Sequence, residues 1–174
     1  TQYIADPLVV SVVGGAERCH SVMNALNALA DEARSNDWVL VHDAARPCMR
    51  DSDLDLLIET LRSHPVGGLL GMPVRDTMKR TGDGGLVTET VARDRLWHAY
   101  TPQMFRFGLL RQALQEALAQ DAVVTDEASA MELAGHAPLM VEGHADNIKI
   151  TRPEDLSLAE FYLRQKINPA LGPG

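Results

Sequence analysis

The chain has 174 residues, 45% of them apolar, and its 16 basic against 24 acidic residues give a net charge of −8. That length buries a sizeable core in one domain, while a negative balance without a polybasic tract excludes a polyanion binder, whose affinity rests on neutralising phosphates. No stretch approaches the ~20 apolar residues that span a bilayer, and the opening Thr1-Gln2-Tyr3-Ile4-Ala5-Asp6-Pro7 lacks a basic segment followed by an apolar one, so the expected location is the cytoplasm. Cys19 and Cys48 belong to no Cys-x-x-Cys pair and read as small buried apolar groups.

In chain order, the β-branched run Leu8-Val9-Val10-Ser11-Val12-Val13, closed by Gly14-Gly15, predicts a strand feeding a tight turn. Over 21–34, Val22, Leu26 and Leu29, with Ala25 and Ala33, recur at helical steps until Asn36-Asp37 breaks the pattern. Trp38-Val39-Leu40-Val41-His42 reads as a strand covered on both faces, ending at Asp43-Ala44-Ala45-Arg46-Pro47. Ser52, with Asp55 three residues on, predicts a variant capping box for a helix carrying Leu54, Leu57, Ile58 and Leu61, which His64-Pro65 stops. A third strand follows over 67–74, weakened by its glycines. Segments 77–81 and 86–91, joined by Gly82-Asp83-Gly84-Gly85, predict a hairpin with too few apolar residues to fold on its own core; such an arm needs a partner surface.

Residues 96–101 resume strand character before Pro102, and Leu110, Leu114 and Leu118 mark a helix over 107–118. Thr125-Asp126-Glu127 opens a short helix to Leu133 with Gly135 as its stop. Strands over 139–141 and 148–150 then precede a last helix through Tyr162, with Pro153 in its first turn. This alternation predicts an α/β sheet with helices on both faces, as a single domain over 1–167, followed by a disordered tail over 168–174.

In such sheets ligands bind beyond the carboxyl ends of strands. That rule selects Gly14, Gly15, Arg18 and Ser21; Asp43 and Arg46; Arg75, Asp76 and Thr77; Thr101; and Asp146, Asn147 and Lys149. Cations and hydroxyls grip phosphate oxygens while carboxylates hold magnesium, so the set suits a phosphorylated substrate with a divalent metal. Each member has a plainer reading beside this one: Gly14-Gly15 as a simple turn, Asp43 as a turn cap, Lys149 as a solvated lysine. Lys79, Arg80, Arg93 and Arg95 form either a solvated face or a contact with a partner's anionic pocket. The six histidines lack the i, i+4 pairing of a zinc site, and no Gly-x-Ser-x-Gly elbow suggests acyl-enzyme chemistry.

Six blocks in order carry a resemblance over about residues 12–163. They are Gly14-Gly15-Ala16-Glu17-Arg18, Val41-His42-Asp43-Ala44-Ala45-Arg46-Pro47, Pro73-Val74-Arg75-Asp76-Thr77-Met78-Lys79-Arg80, Trp97-His98-Ala99-Tyr100-Thr101-Pro102-Gln103, Thr125-Asp126-Glu127-Ala128-Ser129 and Asp146-Asn147-Ile148-Lys149-Ile150-Thr151. Together they resemble the 2-C-methyl-D-erythritol 4-phosphate cytidylyltransferase family of the non-mevalonate isoprenoid pathway. The resemblance implies a Rossmann-like, mostly parallel sheet and a protruding hairpin arm over 75–91 used for homodimerisation. It also implies that the polyol 4-phosphate attacks the α-phosphorus of CTP and releases pyrophosphate, with magnesium (Mg2+) on the triphosphate. Such chemistry is charge management, resting on positioning and on cations that neutralise crowded phosphates.

By family pattern, Lys149 and Arg93 position the polyol phosphate, Arg93 coming from the partner subunit. Asp43, Arg46, Thr101 and Thr125 line the polyol site, with Thr77 from the partner's arm, while Gly15, Ala16, Ser21 and Ala44 hold the cytidine. Asp43 is the metal-ligand candidate, with Asn147 or Asp146 behind it. His144 stands where the family usually has arginine. Competing readings are ribitol-5-phosphate cytidylyltransferase and a non-catalytic dimerising fragment with residual ligand binding.

The family's opening Ala-Ala-Gly-x-Gly-x-Arg loop and Pro-Lys-Gln segment have no counterpart in these 174 residues. By that reading, the 174-residue polypeptide made alone is expected to be catalytically inactive, since the cations facing the leaving pyrophosphate are missing. A pyrophosphate-release assay showing normal turnover would overturn this expectation.

Overall fold

The computed structural model describes residues 8–167, and the tail expected over 168–174 lies outside the described residues. The elements are α1 (Arg18–Ala28), β1 (Trp38–Val41), α2 (Asp51–Leu61), β2 (Gly67–Pro73), β3 (Met78–Thr81), β4 (Val87–Val91), β5 (Trp97–Arg106), α3 (Phe107–Ala119), α4 (Glu127–Leu133), β6 (Leu139–Glu142) and α5 (Asp155–Ile167). Strands hydrogen bond in the order β1-β5-β2-β6, and β3 with β4 makes a separate two-stranded sheet, which gives the expected α/β class. Two compact units interleave along the chain, one of residues 8–41, 63–68 and 103–139, the other of 42–62, 69–102 and 140–167.

In the first unit, β1 runs antiparallel to the second half of β5, with Trp38 opposite Arg106 and Val41 opposite Gln103. The Arg106 guanidinium lies 3.6 Å from the Trp38 ring centroid, a cation–π contact on that pair. Of the stripe expected of α3, Leu110 and Leu114 are buried while Leu118 is only half-buried, and Phe107 and Ala117 join the two leucines in a core with Leu26, Met104, Phe105 and Met131. Each large apolar side chain buried this way contributes about 1.5–3 kcal/mol. Gly67 has φ +122°, and a Cβ there would fall well inside contact distance of the Met104 carbonyl oxygen and the Phe105 Cα. The glycine that weakens the strand pattern is thus what the close approach requires. Asp126 caps α4 by accepting the Ser129 N–H at 2.9 Å, and Gly135, at φ +81°, follows its end as expected.

In the second unit, α2 buries Leu57, Leu61 and Asp53. Its start corrects the expected capping box: Ser52 lies inside the helix, and Arg50 at the cap position makes no side-chain capping bond. Asp51 and Asp53 in the first turn supply the negative charge that a helix N-terminus favours. The expected hairpin is present, with Lys79 opposite Thr90, Arg80 opposite Glu89, and a register shift between Arg80 and Thr81. Residues 75–90 are all exposed, as a core-poor arm requires. Cys48 is buried with its thiol 3.5 Å from the Ala159 carbonyl. Burial first, then Asp146, pushes that thiol up, against the opposing pull of Lys166, and the group stays an unreactive thiol.

Five further expectations are corrected. Residues 8–13 form no strand, and Leu8 and Val13 are 90% and 83% exposed. Residues 148–150 form none either, because their backbone is spent on a turn from the Ile148 N–H to the Asp146 carbonyl at 2.7 Å and one bond from the Ile150 N–H to the Ala45 carbonyl at 2.8 Å. Strand β5 does not stop at Pro102 but runs on to Arg106, held by its pairing with β1. Helix α1 ends at Ala28, where the Leu29 carbonyl receives the Glu32 and Ala33 amides in turns, and α5 continues past Tyr162 to Ile167.

Candidate active site

The second unit gathers Asp43, Arg46, Thr101 and Lys149, as the strand-end rule selected. Asp43, two residues beyond the end of β1, ion-pairs with the Lys149 ammonium at 2.8 Å; the lysine side chain is 44% exposed and the aspartate 13%. The Asp43 backbone N–H donates to Thr101 Oγ1 at 3.0 Å, and that oxygen lies 3.0 Å from His42 Nδ1. His42 Nε2 in turn lies 3.0 Å from the Arg46 carbonyl. A histidine carrying its hydrogen on Nε2 satisfies every link: the Thr101 hydroxyl donates to Nδ1, and Nε2–H donates to Arg46. The loop 43–46 is thereby closed onto Thr101, and the Arg46 N–H donates to the Asp43 carbonyl at 2.9 Å across the turn.

Arg46 projects its guanidinium to the Asn147 carbonyl at 2.7 Å and lies 4.8 Å from the Tyr100 ring centroid. Burial pulls the Arg46 guanidinium below its ordinary value, opposed by Asp43 and Tyr100, yet an arginine remains a cation throughout the neutral range. Asn147, buried, donates from Nδ2 to the Thr101 carbonyl at 2.9 Å. Asp146 holds Arg50 at 2.6 Å instead of facing the Asp43 group as a bare carboxylate. Three buried atoms, Arg46 Nε, Asn147 Oδ1 and Asp146 Oδ1, have no hydrogen-bond partner within the described residues. Such atoms are ordinarily satisfied by water or by a ligand. His144 gives both its backbone N–H and its Nδ1 to buried Asp53, at 3.0 and 2.6 Å, fixing the turn that leads into Asn147 and Lys149.

Thr77 and Arg93 sit at the base of the arm and are exposed, and Arg93 donates to the Arg75 carbonyl. Ala44 is exposed in the loop between Asp43 and Arg46.

The first unit holds Gly15, Ala16, Ser21 and Thr125. The Gly15 N–H donates to Ser21 Oγ at 2.9 Å, and that hydroxyl donates to the Glu17 carbonyl at 3.3 Å, folding the loop back on the first turn of α1. Ala16 is exposed within this loop, and the Thr125 amide is held by Ser129 Oγ at 3.1 Å. Sequence reasoning passed over His42, Asp53, Gln103 and Glu127, all of them supports for residues it did select. Only His42, adjacent to Asp43 at a strand end, carried a local signal.

Together, an exposed ammonium, a guanidinium, a hydroxyl and a carboxylate can grip phosphate oxygens and polyol hydroxyls without supplying a nucleophile. Burial also raises the Tyr100 phenol above the ordinary tyrosine range, outweighing the opposing pull of Arg46 and Arg75. The folded state therefore binds this proton more tightly than the unfolded chain, whose phenol titrates near ~10. The resulting stability is fully present below that pH and is lost as pH rises through the higher folded value. The difference in phenolate absorbance between wild type and Tyr100→Phe is expected to show a midpoint above that of free tyrosine, and a midpoint at or below it would refute the assignment.

Comparison with known proteins places these features. The family model described as IspD, 2-C-methyl-D-erythritol 4-phosphate cytidylyltransferase, matches residues 1–165. The enzyme of that name from Pseudomonas putida strain GB-1 is 56% identical over 166 residues, covering 95% of this chain and 69% of the relative. That from Pseudomonas entomophila strain L48 is 59% identical over 163 residues, covering 93% and 68%. Among solved structures, the Francisella tularensis enzyme matches with a TM-score of 0.85 at 41% identity, covering 92% of this chain and 74% of that one. The Thermus thermophilus enzyme gives 0.75 at 31% identity, with 91% and 79% covered. The sequence blocks, the fold and the strand-end cluster therefore lead to one assignment: the chain belongs to the 2-C-methyl-D-erythritol 4-phosphate cytidylyltransferase family.

Proposed function

We propose that this chain transfers a cytidylyl group from CTP to 2-C-methyl-D-erythritol 4-phosphate, giving 4-diphosphocytidyl-2-C-methyl-D-erythritol and pyrophosphate in isoprenoid precursor synthesis. Beside family membership, the observation that carries this reading is the Lys149–Asp43 pair, 2.8 Å apart, on the loop that Thr101 and Arg46 close. The relatives and solved structures are named for methylerythritol phosphate, which favours that polyol over ribitol phosphate. No helix among the described residues is long and apolar enough to cross a membrane, and the reading places the enzyme in the cytoplasm.

In the step itself, an oxygen of the polyol phosphate forms a bond to the α-phosphorus of CTP. The bond from that phosphorus to the bridging oxygen breaks, and its electron pair leaves with pyrophosphate. Two anions must approach, so cations held in place do most of the work. Lys149 neutralises and orients the attacking phosphate, and Asp43 fixes the lysine while accepting from polyol hydroxyls. Arg46, Thr101 and Thr125 complete the polyol contacts. Gly15, Ala16, Ser21 and Ala44 receive the cytidine, their small side chains letting backbone groups approach the base and ribose. Magnesium, when bound, neutralises the triphosphate charge. The Asp43 carboxylate is the hard oxygen donor that suits it, and the unpartnered buried oxygens of Asp146 and Asn147 are of the same chemical kind.

Replacing Lys149 by methionine is expected to lower kcat about 10²–10³-fold, the scale of removing one transition-state donor, with the KM for CTP little changed. Pyrophosphate release by the full-length protein, with both polyol phosphates offered in competition, checks this. A wild-type protein releasing none, or a Lys149→Met variant at full rate, would reject the assignment.

Thr77 and Arg93 are exposed at the base of an arm that has no core of its own, with residues 75–90 all exposed. This favours the reading in which each arm serves the site of a second copy, in a homodimer. Sedimentation of the full-length protein is expected to report a dimer, and deletion of residues 77–89 a monomer. A monomeric wild type contradicts the swapped arm.

A further inference from the structure

We propose that the Arg18–Glu127 ion pair is a positioning clamp that sets the cytidine loop and the Thr125 turn as one piece; this rests on the cytidylyl-transfer reading above. Glu127 is 1% exposed, and its two carboxylate oxygens receive Arg18 Nη1 and Nη2 at 2.5 and 2.9 Å. A fork of this kind fixes orientation as well as distance. Stability alone does not account for it, because a buried ion pair repays its desolvation poorly and an apolar pair of similar volume does as well or better. Arg18 is also the first residue of α1, where a cation opposes the helix dipole, so the helix gains nothing from its charge.

What the pair does hold is the two segments it joins. On one side, the Glu17 carbonyl, next to Arg18, receives both the N–H and the hydroxyl of Ser21 at 3.2 and 3.3 Å, and the Ser21 hydroxyl receives the Gly15 N–H. Fixing Arg18 therefore fixes Gly15 and Ser21, two of the residues assigned to cytidine. On the other side, Glu127 opens α4 directly after Asp126, whose carboxylate caps the helix and receives Gln103 Nε2 at 2.8 Å. The Gln103 side-chain oxygen accepts the Ala128 N–H at 2.8 Å, and Thr125 is held by its amide to Ser129. Glu127 thus stands inside a rigid box that carries Thr125. Neither Arg18 nor Glu127 is placed against the reacting atoms, so both are positioning residues.

The test compares the full-length protein with Arg18→Lys, which keeps the charge but loses the fork, and with the double variant Arg18→Met/Glu127→Met, which leaves no unpaired buried charge. Both are expected to melt near the wild-type temperature. CTP affinity by calorimetry and the KM for CTP are expected to weaken about tenfold in each, with kcat within about threefold, the split of lost positioning rather than lost chemistry. CTP affinity within twofold of wild type in both variants would overturn the clamp. So would a loss that appears only where the melting temperature falls. A wild-type protein that binds CTP yet releases no pyrophosphate with methylerythritol phosphate would overturn the functional reading instead, leaving the calorimetric comparison to decide the clamp.

Discussion

The polyol-side geometry depends on one buried amide. Asn147 gives its Nδ2 to the Thr101 carbonyl at 2.9 Å while its own backbone carbonyl receives the Arg46 guanidinium at 2.7 Å. Residues 148–150 belong to no strand ladder, so this side chain, with the single Ile150 to Ala45 bond, sets where Lys149 emerges. A typical hydrogen bond contributes only about 1 kcal/mol net, but leaving its buried partner unsatisfied costs about 1–3 kcal/mol. The penalty for misplacing the segment is therefore larger than any one bond suggests, and Lys149 is held opposite Asp43 by that asymmetry.

Charge is organised on the same principle. The balance of −8 does not describe the surface a phosphate meets, because particular carboxylates are committed to holding particular cations: Asp43 to Lys149, Glu127 to Arg18, Asp146 to Arg50. Where the pair is exposed, as at Lys149, the ammonium stays within reach of a ligand. Where it is buried, as at Glu127, it serves geometry. An acidic protein can therefore present ordered cations to small anions while repelling polyanions in bulk.

Much of this was legible from local pattern. The α3 stripe, the β1 run, the arm hairpin with its glycine turn, the Asp126 start and Gly135 stop of α4 are all encoded within a few residues of where they act. The failures share one cause. Residues 8–13 have strand propensity but take no part in the sheets of the described residues, whereas β5 continues past Pro102 because β1 supplies its pairing. Propensity proposes a strand and hydrogen-bond partners decide it. The site divides the same way. Asp43 and Arg46 follow from the strand-end rule, which also selected Thr101 and Lys149 although β5 runs past the one and no strand immediately precedes the other; Glu127 and Asp53 acquire their roles from partners 109 and 91 residues away, which no local pattern announces.

The turn before Asn147 shows how such a network is anchored. Asp53 is nearly fully buried and accepts the backbone N–H of His144 at 3.0 Å, a bond that any non-proline residue supplies. The imidazole adds a second contact at 2.6 Å from a side chain that is 51% exposed, where solvent screens much of its worth. The anchor of the turn before Asn147 thus rests first on the aspartate and the main chain.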